Sequence, residues 1–141
     1  MMKYEIRNEK YESLQTNNRL CMPDKDLKKR TFDFAVTVGK LVQVLPYTVA
    51  NREYSRQLIR CSSSIGANYR AVQRAKSDND FINKLKIVEE EADESIYFLE
   101  LILVFNPEQT ETIKPLIIEG TEILKMIVAA INTMRERLKG K

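Results

Sequence analysis

The sequence predicts an all-α protein folded as a single up-down-up-down four-helix bundle. Three observations lead to this fold class. Four long segments repeat their apolar residues at helical spacing, and short connections separate these segments. No strand-like alternation or hairpin dipeptide interrupts them, and the 141 residues include only four Gly and four Pro. A chain of this length forms one domain, because two would each lack an adequate core.

The predicted helices cover most of the chain. They span roughly residues 24–45, 51–76, 78–105 and 108–139. Asp24 or Asp26 is expected to cap the first helix, and Pro46 to end it. Ser77 and Asp78 are suitable caps for the third helix, and Pro115 is expected to begin the regular part of the fourth.

Each predicted helix carries one apolar face. The first contributes Phe34, Val38, Leu41 and Leu45. In the second, the apolar residues from Tyr54 to Val72 fall within an arc of about 80°. The third and fourth carry similar stripes, so the four helices can enclose one core. Residues 1–23 show no clean periodicity and are predicted to form a flexible arm ahead of a bundle domain at 24–141.

Composition excludes several classes of site. The chain has no His, which removes Ser-His-Asp triads, Cys-His dyads and His-ligated metals. Its two cysteines, Cys21 and Cys61, lack metal-ligand spacing and are expected to be free thiols in a reducing cytoplasm. No apolar run reaches the ~18 residues that a membrane span requires. We therefore predict a cytoplasmic, non-enzymatic protein with no catalytic residues, metal or cofactor.

The most informative pattern is an arginine stripe on the second helix. Five arginines fall in one wedge of the helical wheel, opposite the apolar arc, over about 33 Å. Three lysines extend the positive charge into the third helix. Guanidinium groups spaced along a rigid helix suit successive phosphates, whereas the alternative is a solvated or subunit-pairing face. The predicted nucleic-acid contacts are Arg52, Arg56, Arg60, Arg70, Arg74, Lys76, Lys84 and Lys86.

A second group of polar residues is predicted to join the second and third helices. Poor helix formers cluster at residues 61–68. Within this segment, Ser64 and Asn68 flank the apolar arc and can form hydrogen bonds to the third helix. Glu91 and Glu94 lie nearest the inner seam of the third helix. We expect these four residues to form a structural network. A serine nucleophile or a di-metal site would need a base or His ligands, which the chain lacks.

The end of the third helix is apolar on nearly all sides. Only Glu100 is charged between residues 96 and 105, whereas a bundle helix needs a single apolar stripe. This pattern indicates a subunit interface, with burial under the N-terminal arm or the fourth helix as the alternative. The predicted interface residues are Tyr97, Phe98, Leu101, Ile102 and Phe105.

Several motifs in the second and third helices carry a family resemblance. In order, they are SIGANYR at 64–70, RAKS at 74–77, DFI at 80–82 and EADES at 91–95. Through these motifs, the chain resembles the four helix bundle proteins encoded in intervening sequences of bacterial 23S ribosomal RNA genes. It is also similar to the accessory variability determinant of diversity-generating retroelements.

The resemblance implies a homopentameric barrel with no enzymatic activity. It also implies a basic surface for nucleic acid and a reverse transcriptase or other ribonucleoprotein component as partner. Arg70, Arg74, Lys76 and Lys84 are the positions to which that basic surface would carry over. We therefore expect a bundle that binds RNA or DNA backbones, or a homo-oligomeric scaffold that binds no nucleic acid.

Overall fold

The computed structural model describes residues 27–140 and contains four long α-helices. The predicted N-terminal arm, Cys21 and the expected caps Asp24 and Asp26 lie outside the described residues. The helices are α1 (Leu27–Val44), α2 (Val49–Val72), α3 (Asp78–Phe105) and α4 (Thr110–Lys139), with a 3₁₀ turn at Pro107–Gln109 before α4. Residues 27–140 contain no strand, so the all-α prediction is confirmed.

Each helix packs against its neighbours in the chain, and α1 also packs against α4. The bundle is thereby closed around one core, and residues from the predicted apolar stripe of every helix belong to it. Buried positions on α1 follow the expected spacing, from Leu27 through Phe34 and Val38 to Leu41. Burial of these stripes is the main stabilising contribution, at about 25 cal/mol per Å² of apolar surface.

Two glycines lie where neighbouring helices approach closely. A Cβ on Gly66 of α2 would lie 3.0 Å from Oγ1 of Thr31 on α1. A Cβ on Gly120 of α4 would lie 3.2 Å from Cγ1 of Ile96 and 3.4 Å from Cζ of Phe34. The small-residue segment of α2 therefore packs closely against α1 at Gly66.

The ends of α2 differ from the sequence prediction because side chains cap the backbone nearby. Thr48 is the N-cap and accepts a hydrogen bond from the Asn51 amide at 3.1 Å, so the helix starts two residues early. At the other end, Ser77 caps α3 by accepting from the Asp80 amide. The Asp80 carboxylate in turn accepts from the Lys76 amide at 2.9 Å. This reciprocal capping leaves residues 73–77 as a turn.

The expected role of Pro115 is wrong. Helix α4 begins at Thr110, and Pro115 lies inside it. A proline in the second turn of a helix removes only one backbone hydrogen bond, and the apolar stripe on both sides holds the segment helical.

A pair of buried asparagines joins two turns at one end of the bundle. The Asn51 amide donates to Oδ1 of Asn106 at 3.0 Å, and Asn106 donates back to Oδ1 of Asn51 at 2.7 Å. The same two amides also donate to the carbonyls of Pro46 and Ile102, at 2.9 and 2.8 Å. The network fixes the α1–α2 turn against the α3–α4 turn.

Candidate nucleic-acid interface

The first two arginines of the predicted stripe share an acidic partner on α2. Nε of Arg52 lies 3.5 Å from Glu53, and Nη2 of Arg56 lies 2.9 Å from the other oxygen of the same carboxylate. Both arginines are exposed. Exposed pairs of this kind are worth little, so each guanidinium can exchange Glu53 for another anion.

Arg60 is held more firmly because it bridges two helices. Its Nη2 donates a short hydrogen bond to Glu94 of α3, and its Nη1 lies 3.5 Å from Glu91. The bond to Glu94 raises the pKa of Arg60, so the guanidinium stays charged. Burial raises the pKa of Glu91, although the charge of Arg60 opposes that shift. Arg60 therefore serves the α2–α3 contact, and its part in binding nucleic acid stays a prediction.

The predicted network between α2 and α3 is only partly as expected. Glu91 and Glu94 do reach α2, through Arg60. Ser64 and Asn68 do not bond across: Ser64 donates to the Arg60 carbonyl at 2.8 Å, and Asn68 to the Ser64 carbonyl at 2.8 Å. That part of the prediction is wrong, because such side chains within a helix readily donate to the carbonyl four residues earlier.

The three predicted lysines, one in the α2–α3 turn and two in α3, differ in whether they form an ion pair. Lys84 lies 3.0 Å from both oxygens of Asp80, and Lys86 lies 3.2 Å from Glu89. The Lys76 amide and then the Lys84 ammonium hold the pKa of Asp80 below its ordinary value. The side chain of Lys76 is exposed and forms no ion pair within residues 27–140.

Basic groups collect at the end of the bundle formed by the α2–α3 turn and the end of α4. Arg74 on this turn is exposed and forms no ion pair with a described residue, whereas Arg70 is half-buried. An open groove joins the start of α3 to the end of α4, and Arg135 of α4 lines it. Arg135 is also exposed and without an ion pair in the described chain. We call Arg74, Lys76 and Arg135 the basic end.

Sequence reasoning missed Arg135 because it treated α2 by itself. Residues 125–141 carry five basic side chains and one acidic one. In an up-down-up-down bundle, the end of the fourth helix lies beside the turn between the second and third. These two facts together could have identified the basic end.

Part of the apolar end of α3 is exposed in the single chain. Tyr97, Val104 and Phe105 are 58%, 75% and 54% exposed, and Leu101 is partly covered. Ile102 is 0% exposed and belongs to the core, so its assignment to a subunit interface is wrong. Its position on the helix turns it inward, like that of the buried Leu99 three residues earlier.

Aromatic side chains order part of this surface. The ring of Phe105 lies 5.7 Å from that of Tyr54 on α2, and the half-buried Phe98 lies 6.3 Å from the same tyrosine. Tyr97 meets Phe98 edge to face at 5.4 Å. We call Tyr97, Leu101, Val104 and Phe105 the apolar face of α3.

The described residues offer few other reactive groups. Cys61 is a free, buried thiol whose pKa is raised by burial, which disfavours the reactive thiolate. Within residues 27–140, no three His, Cys, Asp or Glu side chains come together as metal ligands. None of the helices in this part of the chain is both long and apolar enough to span a bilayer.

Comparison with known proteins identifies the family. No curated protein matches the sequence. A solved structure from Bacteroides thetaiotaomicron, a protein of unknown function from the S23 ribosomal protein family, is 34% identical and superposes with a TM-score of 0.67. The match covers 74% of this chain and 97% of the other. The model of the 23S rRNA-intervening sequence protein family matches residues 24–129. The chain belongs to that family, as its motifs in the second and third helices indicate.

Proposed function

We propose that this protein is a non-enzymatic binder of nucleic-acid backbones and that the basic end is its principal contact. One observation carries the proposal. Arg74, Lys76 and Arg135 are exposed, form no ion pair within the described chain, and come from two segments that the fold brings to the same end of the bundle.

The chemistry of these three side chains suits phosphate oxygens as ligands. Arginine binds phosphate oxygens through two parallel hydrogen bonds, and lysine adds a mobile point charge. Such contacts depend on the charge of the backbone and carry no sequence information. Arg52 and Arg56 would extend the surface along α2 once a phosphate replaces Glu53.

The first experiment is a fluorescence-anisotropy titration of structured RNA and duplex DNA at about 50 and 200 mM salt. The test variant is Arg74→Glu with Arg135→Glu. The matched control is Lys40→Glu with Lys114→Glu, which changes the net charge equally at two exposed lysines without described ion pairs. We expect the test variant to lose at least about tenfold in affinity at the lower salt, and the control less than threefold.

Two results would contradict the proposal. Equal losses of affinity in both variants would mean that binding depends on the net charge of the protein and not on the basic end. No binding by the unmodified protein at about 50 mM salt would reject a nucleic-acid function altogether. The variant Arg56→Glu separates the basic end from the stripe, because a larger loss there than in Arg74→Glu would move the principal contact to the middle of α2.

A second candidate function is self-association as a scaffold, and the apolar face of α3 favours it. Contiguous exposed apolar surface on a small protein commonly marks an interface. The family resemblance implies a pentamer. We expect Val104→Glu to lower the molar mass measured by light scattering, whereas Ile118→Glu, at a 63% exposed position on α4, leaves it unchanged. A monomeric mass for the unmodified protein would reject this candidate.

A further inference from the structure

The groove beside the basic end differs in chemistry from a phosphate site. It lies between the start of α3 and the end of α4 and encloses about 460 Å³, within the range of small-ligand clefts. Its lining consists of Asn79, Ile82, Asn132, Arg135, Glu136, Leu138 and Lys139. One wall comes from each helix.

Two features of the lining suit a flat, polar-edged ligand. The side-chain amides of Asn79 and Asn132 are exposed and form no hydrogen bond with any described residue. Each offers a donor and an acceptor, the combination that asparagine uses on the edge of adenine. Ile82 is buried and Leu138 partly buried, so they provide apolar surface for a ring to rest on.

The charged residues of the groove also suit a flat ligand with polar edges. Lys139 lies 3.3 Å from Glu136, which leaves Arg135 as the groove's cation without a described ion pair. A carboxylate repels phosphate but accepts hydrogen bonds from the exocyclic amines of bases. Arg135 can place its guanidinium plane against a base, as arginine does in single-stranded RNA recognition. A site for phosphate alone would gain nothing from Glu136 and would use only the donor half of each amide.

We propose that this groove takes an unpaired nucleobase, so that the protein prefers single-stranded nucleic acid over a duplex. The inference rests on the proposed function: the basic end holds the backbone, while the groove receives a base turned out of the stack. A paired base in a duplex keeps its Watson–Crick edge and its ring faces hidden from such a groove, whereas a loop, bulge or single strand presents them.

The test compares oligonucleotides of one mixed sequence, twelve nucleotides long, as single-stranded RNA, single-stranded DNA and their blunt duplexes. The variant Asn79→Ala with Asn132→Ala removes the two amides without changing charge. The control is Asn83→Ala, an exposed asparagine of α3 outside the groove. We expect the double variant to lose about 5- to 20-fold on the single strands and less than twofold on the duplexes.

The two proposals fail in different ways. Salt-dependent duplex binding with no loss on single strands in the double variant would overturn the base groove and leave the basic end intact. An equal loss on single strands and duplexes would also overturn the groove, because base access would then be irrelevant. Absence of binding to every probe would reject both proposals.

Discussion

At the residue scale, buried amide side chains in this bundle fall into two kinds. Asn51 and Asn106 bond to each other and to backbone carbonyls. Gln73, at the end of α2, has both amide atoms buried without a hydrogen-bond partner among residues 27–140. Because a buried polar group without a partner costs about 1–3 kcal/mol, the two kinds have opposite consequences for stability.

Asn106→Ala should destabilise the fold by about 2 kcal/mol, since the Asn51 amide would keep one partner and lose two hydrogen bonds. Urea unfolding followed by circular dichroism measures the change. Asn83→Ala is the control, because an exposed asparagine should shift stability by less than about 0.5 kcal/mol. A loss for Asn106→Ala no larger than that of the control would mean that water replaces the pair without penalty.

Gln73→Met should stabilise the protein by about 1 kcal/mol, because the thioether keeps the length of the side chain and removes the two unpaired atoms. The same unfolding experiment applies. A decrease in stability would show that the amide has a partner in solution.

At the element scale, the interiors of the helices and both ends of α3 could be predicted from the sequence, whereas the ends of α2 could not. Apolar spacing identified nearly all of the core, because one buried face per helix follows from a 3.6-residue repeat. Thr48 and Asp80 set the ends of α2 through bonds to particular backbone amides. A hydrophobic pattern contains no information about such bonds, so α2 begins and ends away from its predicted limits.

Asp80→Asn should weaken the α2–α3 turn in a pH-dependent way. The pKa of Asp80 is lowered in the folded protein, first by the Lys76 amide and then by Lys84. Its stabilisation is therefore present above the ordinary pKa of 3.8 and is lost as the pH falls through the lower folded value. The variant should be less stable than the parent at pH 7, and the difference should shrink below pH 4.

Urea midpoints at about pH 7, 5 and 3 provide the measurement for Asp80→Asn. Asp93→Asn, an exposed position of the same helix, is the control. A difference from the parent that stays constant from pH 7 to pH 3 would show that the carboxylate charge is not what holds the turn.

At the scale of the whole molecule, the candidate site could be predicted only in part, because ion pairs depend on neighbours in space. The arginine stripe follows from one helix taken alone. Two features of the site depend on how the helices pack. They are the ion pair of Arg60 with Glu94 and the position of Arg135 beside the α2–α3 turn. The prediction that Ile102 belongs to a subunit interface fails for the same reason: a segment that is apolar all round does not reveal which side meets the core.

The basic end and the apolar face of α3 give a combined prediction, since assembly would multiply the basic ends. Val104→Glu should leave each basic end intact but separate the copies. Because linked sites raise the effective concentration of one another, affinity for a long DNA duplex should fall about 10- to 100-fold, with less change for a short one. The slope of log K against log salt should also become shallower, by ~0.9 for each duplex phosphate that the protein no longer neutralises.

Anisotropy titrations with a short and a long duplex at four salt concentrations would provide both the affinities and the slopes. Ile118→Glu supplies the matched control, because it adds the same charge at another exposed apolar position. If Val104→Glu lowers the molar mass and leaves both slopes and affinities unchanged, each copy binds alone and assembly serves another purpose. If it lowers affinity equally for both lengths, the apolar face itself lies in the nucleic-acid contact.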